Sequence, residues 1–141
     1  MKKAPRSKCS INLALEVFGD KWTLLIIRDI MLGGKRHFRE FLQSDEHISS
    51  NILTNRLNKL EKQGVLAKER DPSHKQKYIY SLTRKGIDLL PVLISMAEWS
   101  LKHESVDEIA SRHTQMIING GEELTRRYMQ ELEEKHLHKN V

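Results

Sequence analysis

Apolar positions along the chain form a succession of helical stripes, interrupted once by an alternating pattern. Ile11, Ala14, Leu15 and Phe18 recur at three- and four-residue spacing, with Ser10 available as an N-cap and Gly19 as a stop. Asp20 is placed to cap a second helix carrying Trp22, Leu25, Ile26, Ile30 and Met31. That helix is apolar on most sides and so belongs at the centre of the core. Gly33-Gly34 ends it, and a short third helix holds Phe38, Phe41 and Leu42 on one face. The polar run 43–47 predicts a turn. A fourth helix is expected from Ser50 to Gln63, capped by Ser49 or Ser50 and closed by Gly64.

The period then changes. Residues 65–70 read as a strand, 71–76 as a loop, and 77–82, with two Tyr and an Ile in near-alternation, as the returning strand. A hairpin with a six-residue tip therefore follows directly on a helix-turn-helix pattern. Thr83 is placed to cap a long fifth helix through Ile87, Leu90, Leu93, Ile94, Ala97 and Leu101, kinked at Pro91. The run Ser105-Val106-Asp107-Glu108 reads as a capping box for a sixth helix, striped by Val106, Ile109, Ala110, His113, Met116 and Ile117. After Gly120-Gly121, Leu124, Tyr128 and Leu132 stripe a last, charged helix that frays after about Lys135. The fold class is mainly α with a two-stranded β wing: a winged helix-turn-helix with further helices at both ends.

The fourth helix carries the candidate chemistry. At about 100° per residue, Leu53, Leu57 and Leu60 share one side, while Asn51, Asn55, Asn58 and Lys62 point the opposite way, flanked by Thr54. No acid interrupts that polar face. Amide side chains can pair with base edges in the major groove, and hydroxyls and Lys can hold phosphates. Residues near the helix start, Ser50, Asn51, Thr54 and Asn55, are expected nearest the groove floor, with Asn58, Lys59 and Lys62 nearer the DNA backbone and Ser49 in the same contact set. Arg56 lies at the border between the faces, able to meet a phosphate or an acid at the core edge. Lys68, Arg70, Lys75 and Lys77 make the wing basic and suit it to the neighbouring phosphates or minor groove, and Lys35, Arg36 and Arg39, with His37, form a second basic cluster at the start of the third helix, placed for the phosphates that flank the groove. The competing reading is an ordinary solvated helix face on a winged-helix protein-interaction module, since fold alone does not fix function.

These residues resemble the HxlR-type transcriptional regulators. The likeness runs from Cys9-Ser10-Ile11 and Phe18-Gly19-Asp20-Lys21-Trp22 through Phe38-Arg39-Glu40-Phe41, Leu53-Thr54-Asn55-Arg56-Leu57 and Gly64-Val65-Leu66. It continues in Tyr80-Ser81-Leu82-Thr83-Arg84-Lys85-Gly86 and ends near Trp99. It implies a homodimer on a double-stranded DNA operator in a bacterial cytoplasm, acting as repressor or activator; two recognition helices related by a dyad would make that operator a pseudo-palindrome. The chain reads as a basic arm (1–9), the winged helix-turn-helix domain (10–103) and a C-terminal helical extension (104–141). That extension is expected either to add to the dimer interface or to pack on its own domain. Some family members sense oxidants or electrophiles through a cysteine where Cys9 stands. A position before a helix start and beside Lys8 suits a thiolate. The other reading of Cys9 is an unreactive helix-start residue.

Composition narrows the remaining classes. The 141 residues carry 24 Lys+Arg against 19 Asp+Glu, a net +5. Residues 1–100 hold a net +7 and residues 101–141 a net −2, so the excess sits on the expected DNA-facing part. No apolar run approaches the ~18 residues of a membrane span, and no apolar signal segment follows the basic start, so a cytoplasmic protein is expected. One cysteine excludes an intrachain disulfide. No phosphate loop, HExxH or nucleophile elbow is present, so no enzyme, catalytic residue or cofactor is expected. His136 and His138, two apart, would not share a helical face, and no metal site is expected. A small-molecule effector is compatible with the sequence, which does not indicate its chemistry.

Overall fold

The computed structural model describes residues 4–137, apart from the Lys75 side chain. His138 and the first three residues of the basic arm lie outside the described residues.

The chain order is α1 (Ser10–Phe18), α2 (Thr23–Met31), α3 (Phe38–Phe41), α4 (Ser50–Lys62), β1 (Leu66–Asp71), β2 (His74–Leu82), α5 (Arg84–Ile87), α6 (Leu90–His103), α7 (Glu108–Asn119) and α8 (Gly121–His136). The strands form one antiparallel hairpin, registered Leu66↔Leu82, Lys68↔Tyr80 and Arg70↔Tyr78, with an irregularity at Arg70/Asp71. The mainly helical, two-stranded winged fold is therefore present.

Helix α2 is central, as its all-round apolarity requires: Leu24, Ile26, Ile27, Ile30 and Met31 are buried. Its N-cap is Trp22 rather than the expected Asp20, which stands two residues earlier and accepts from the backbone N–H groups of Trp22 and Thr23 at 2.8 and 3.0 Å. Leu53, Leu57 and Leu60 of α4 and Leu66, Tyr80 and Leu82 of the hairpin close on the same core. Ser49 caps α4 through Ile52 N–H. Gly64 takes φ +75° just after α4, turning the chain into β1 at a conformation that a side chain disfavours.

Four further local expectations are revised. The N-cap of α1 is Cys9, and Ser10 is already helical. The wing tip is tighter than a six-residue loop. Asp71 Oδ1 accepts from Ser73 N–H at 2.9 Å, closing an Asx turn over Pro72 and Ser73 and letting β2 start at His74. The long fifth helix is two helices: α5 stops at Ile87, and Pro91 sits in the first turn of α6, where its missing N–H costs nothing. Asp107, rather than Ser105, caps α7 through Ala110 N–H.

The C-terminal helices return to the domain. Tyr128 Oη donates to the Met31 carbonyl at 2.9 Å, Leu82 N–H donates to His136 Nδ1 at 3.1 Å, and Arg84 pairs with Glu133 at 2.9 Å. Ile117 and Leu132 join the core, while Ile109 and Met116 on the α7 stripe stay exposed.

Candidate nucleic-acid interface

Helix α4 is held from behind by its three leucines and from the side by two straps to the α1 region. Arg56 Nε donates to Asp20 Oδ1 at 3.0 Å, and Lys59 Nζ donates to the Glu16 carbonyl at 3.2 Å. Arg56, half-buried, thus takes the core-edge acid. Asp20 collects the Trp22, Thr23 and Arg56 donors, which together outweigh its partial burial and hold its carboxyl well below the usual carboxylate range. Arg56 Nη1 also donates to Asn55 Oδ1 at 2.7 Å, so the Asn55 amide leaves its NH₂ group for an outside acceptor. Ser49, Ser50, Asn51, Thr54, Asn55, Asn58, Lys59 and Lys62 are all exposed. The polar face read from the sequence is therefore a solvent-facing surface on a fixed helix.

On the wing, Tyr78 organises the cations. The Lys68 ammonium lies 4.3 Å and the Arg70 guanidinium 5.2 Å from its ring centroid. Lys77 is exposed. Tyr78 was not among the expected site residues; its position directly across from Arg70 is the signal that a strand register supplies.

The second basic cluster separates. Arg39 is exposed. Lys35 turns inward, 3.5 Å from Asp29 Oδ2 and 3.2 Å from Ser44 Oγ, and Ser44 Oγ in turn donates to Asp29. Arg36 braces the wing root: its Nε donates to the Tyr80 carbonyl and its Nη2 to Ser81 Oγ, both at 2.7 Å, while its own carbonyl accepts from Tyr80 N–H. His37 bridges α3 to the wing, with Nδ1 3.1 Å from Glu40 Oε1 and Nε2 2.9 Å from Asp71 Oδ2. Cys9 is exposed at the start of α1, where the backbone N–H groups of Asn12 and Ile11 draw its thiol below the ordinary pKa. Among the described residues, no group of three or more His, Cys, Asp or Glu side chains is arranged to hold a metal ion.

The family model for the HxlR-like helix-turn-helix matches residues 17–108, from the end of α1 to the start of α7. The chain belongs to the HxlR-like family. Its HTH-type relative YdeP from Bacillus subtilis (strain 168) is 32% identical over 96 residues, covering 68% of this chain and 74% of YdeP. The crystal structure of PA1607 superposes with a TM-score of 0.65 at 32% identity, covering 73% of this chain and 70% of that one. The redox regulator HypR in its oxidised form gives 0.60 at 33% identity, covering 70% of this chain and 100% of that one. This HxlR-like chain is thus a DNA-binding transcriptional regulator of the winged-helix kind. No described helix is long and apolar enough to cross a membrane.

Proposed function

We propose that the protein acts as a homodimer on a pseudo-palindromic operator, with α4 in the major groove and the wing on the neighbouring DNA backbone. The carrying observation is the exposed, carboxylate-free array Ser50, Asn51, Thr54, Asn55, Asn58 and Lys62 on a helix fixed at Arg56 and Lys59. A rigid element is what precise base reading needs. Ser49, Ser50, Asn51, Thr54 and Asn55 read base edges, and Asn58, Lys59 and Lys62 hold phosphates, as do Arg39, Lys68, Arg70, Lys75 and Lys77. Lys35 serves chiefly to hold the segment between α2 and α3 against Asp29 and Ser44, and Arg36 to brace the wing root. Arg56 acts by aiming Asn55.

Dimerisation is supported by α1, which buries none of its residues in the single chain while exposing Ile11, Leu13 and Leu15. Met96 and Trp99 of α6 are exposed as well, and apolar surface of this kind calls for a partner. The residues beyond 103, with Ile109 and Met116 exposed, add to the same interface in this reading.

Regulation by oxidants or electrophiles enters through Cys9. The thiol stands at the N-cap of α1, and α1 is tied to α4 through Glu16 and Lys59. A change at the thiol that tilts α1 is thereby passed to the reading helix. Because Cys9 is the only cysteine, a protein disulfide must join two protomers; a sulfenic acid or a small-thiol cap are the other routes. The similarity to a redox regulator supports the same view.

Fluorescence anisotropy on an operator fragment across a salt series tests the reading. Counterion release predicts a steep, linear fall of log K with log salt. A flat dependence, or no DNA binding at all, would favour the protein-interaction alternative.

A further inference from the structure

A cavity of about 470 Å³ opens where α8 docks against the end of α2 and the segment that enters α3. It lies at the seam between the winged-helix unit, matched over residues 17–108, and the helices beyond it. The Leu82 N–H that donates to His136 Nδ1 fixes the tautomer: the neutral imidazole carries its proton on Nε2. His136 is 6% exposed and lines the cavity, and its Nε2–H has no protein partner among the described residues. An unpartnered donor at a cavity wall is open to an acceptor from outside.

Arg36 lines the same space. Its Nε and Nη2 are spent on the Tyr80 carbonyl and the Ser81 hydroxyl, both neutral, and Glu40 and Glu69 act on it only at longer range. Its Nη1 makes no hydrogen bond to a described residue. Lys135 adds a second permanent cation to the lining, against the single carboxylate of Glu131. The field is felt at His136, whose protonation is opposed by burial first and then by Arg36 and Lys135. The rings of Tyr128 and His113, in edge contact at 5.5 Å, supply a less polar wall.

We infer that this cavity is a binding site for a small organic carboxylate, gripped by the Arg36 guanidinium and the His136 Nε2–H with Lys135 alongside. A volume near 470 Å³ suits a ligand of about one ring. Two cations against one acid suit a single negative charge, and the N–H groups that Arg36 leaves free at Nη1 can donate to a carboxylate. The same guanidinium braces the wing root, so a ligand held at Nη1 is linked through one planar group to Tyr80 and Ser81. This coupling, which rests on the wing contacting DNA, makes the ligand an effector of operator affinity.

The test is calorimetric titration of the full-length protein, without DNA, with benzoate, phenylacetate and hexanoate and with the corresponding neutral amides. At least one acid is expected to bind, its amide at least tenfold more weakly. Lys135→Gln should weaken the acid several-fold, and His136→Phe should abolish binding. Circular dichroism checks that each variant folds; Lys135 is exposed, so Lys135→Gln keeps the test decisive if His136→Phe does not. Binding of none of the acids overturns the site, as does equal binding of acid and amide, or unchanged affinity in Lys135→Gln. Because no DNA is present, these outcomes are independent of the operator reading. A carboxylate that binds but leaves operator affinity unchanged overturns the coupling to the wing.

Discussion

Arg56 Nε donates to Asp20 Oδ1 at 3.0 Å, joining the reading helix to the turn between α1 and α2. The same Asp20 oxygen accepts from the backbone N–H groups at the start of α2, and the same guanidinium holds the Asn55 amide oxygen. Asp20→Ala removes these backbone hydrogen bonds and an ion pair together and is expected to cost about 2 kcal/mol in urea unfolding at pH 7. Asp20 titrates below its unfolded value, so its contribution is complete above the unfolded carboxylate pKa and is lost as pH falls through the folded one. The difference between wild type and Asp20→Ala should therefore shrink in strong acid. A difference independent of pH would contradict the assignment.

At the DNA surface, Asn55→Ala should cost ~1–3 kcal/mol and relax preference at one base pair of each half-site. Lys62→Ala and Lys77→Ala should instead weaken binding to all sequences and lower the salt slope by about one ion each. Competition binding on single-substituted operators separates the two patterns.

Much of this surface is legible in the sequence because α4 is strongly periodic. Leu53, Leu57 and Leu60 announce the buried side, and the asparagines follow on the other. The roles of Arg36 and Lys35 are not legible in the same way. Both read as phosphate contacts in a basic run, but their partners, Tyr80 and Ser44, are set by tertiary packing. The wing tip is misjudged for a local reason: Asp-Pro-Ser signals a turn, yet the Asx bond at Asp71 makes that turn short enough for His74 to enter the strand. The break at Asp88-Leu89 is likewise hidden, since Pro91 suits either a kink or a first turn.

His136 gives a second pH signature. Its pKa is lowered to about 4, chiefly by burial, against an ordinary value of 6.5. A base whose folded pKa is lowered leaves stability unaffected above the unfolded pKa and withdraws it as pH falls from there toward the folded value. On going from pH 7 to pH 4.5 the wild type should lose on the order of 2 kcal/mol through this group. His136→Gln, measured by urea unfolding, should lose less over the same interval; an equal loss would place the titrating group elsewhere.

Packing at the wing root can be tested at Gly86. A Cβ there would meet the Val65 carbonyl oxygen at 2.5 Å and Leu82 Cδ2 at 3.1 Å. Gly86→Ala is expected to destabilise by ~1–3 kcal/mol, read as a lower urea midpoint with an unchanged slope.

For Cys9, diamide or a quinone should change operator affinity in the wild type and leave Cys9→Ser unaffected. Non-reducing electrophoresis and intact mass distinguish a disulfide between protomers from a cap on single chains. An equal response in both proteins would remove Cys9 from the regulatory path.

The central claim is that two copies of α4 read one operator. Selection of bound duplexes from a random pool tests it most directly. The account predicts a pseudo-palindrome whose half-sites are centred about one helical turn, ~34 Å, apart or a multiple of it, with one position altered when Asn55→Ala is used instead. Recovery of a single non-repeated site, or of no consensus above the starting pool, would contradict it.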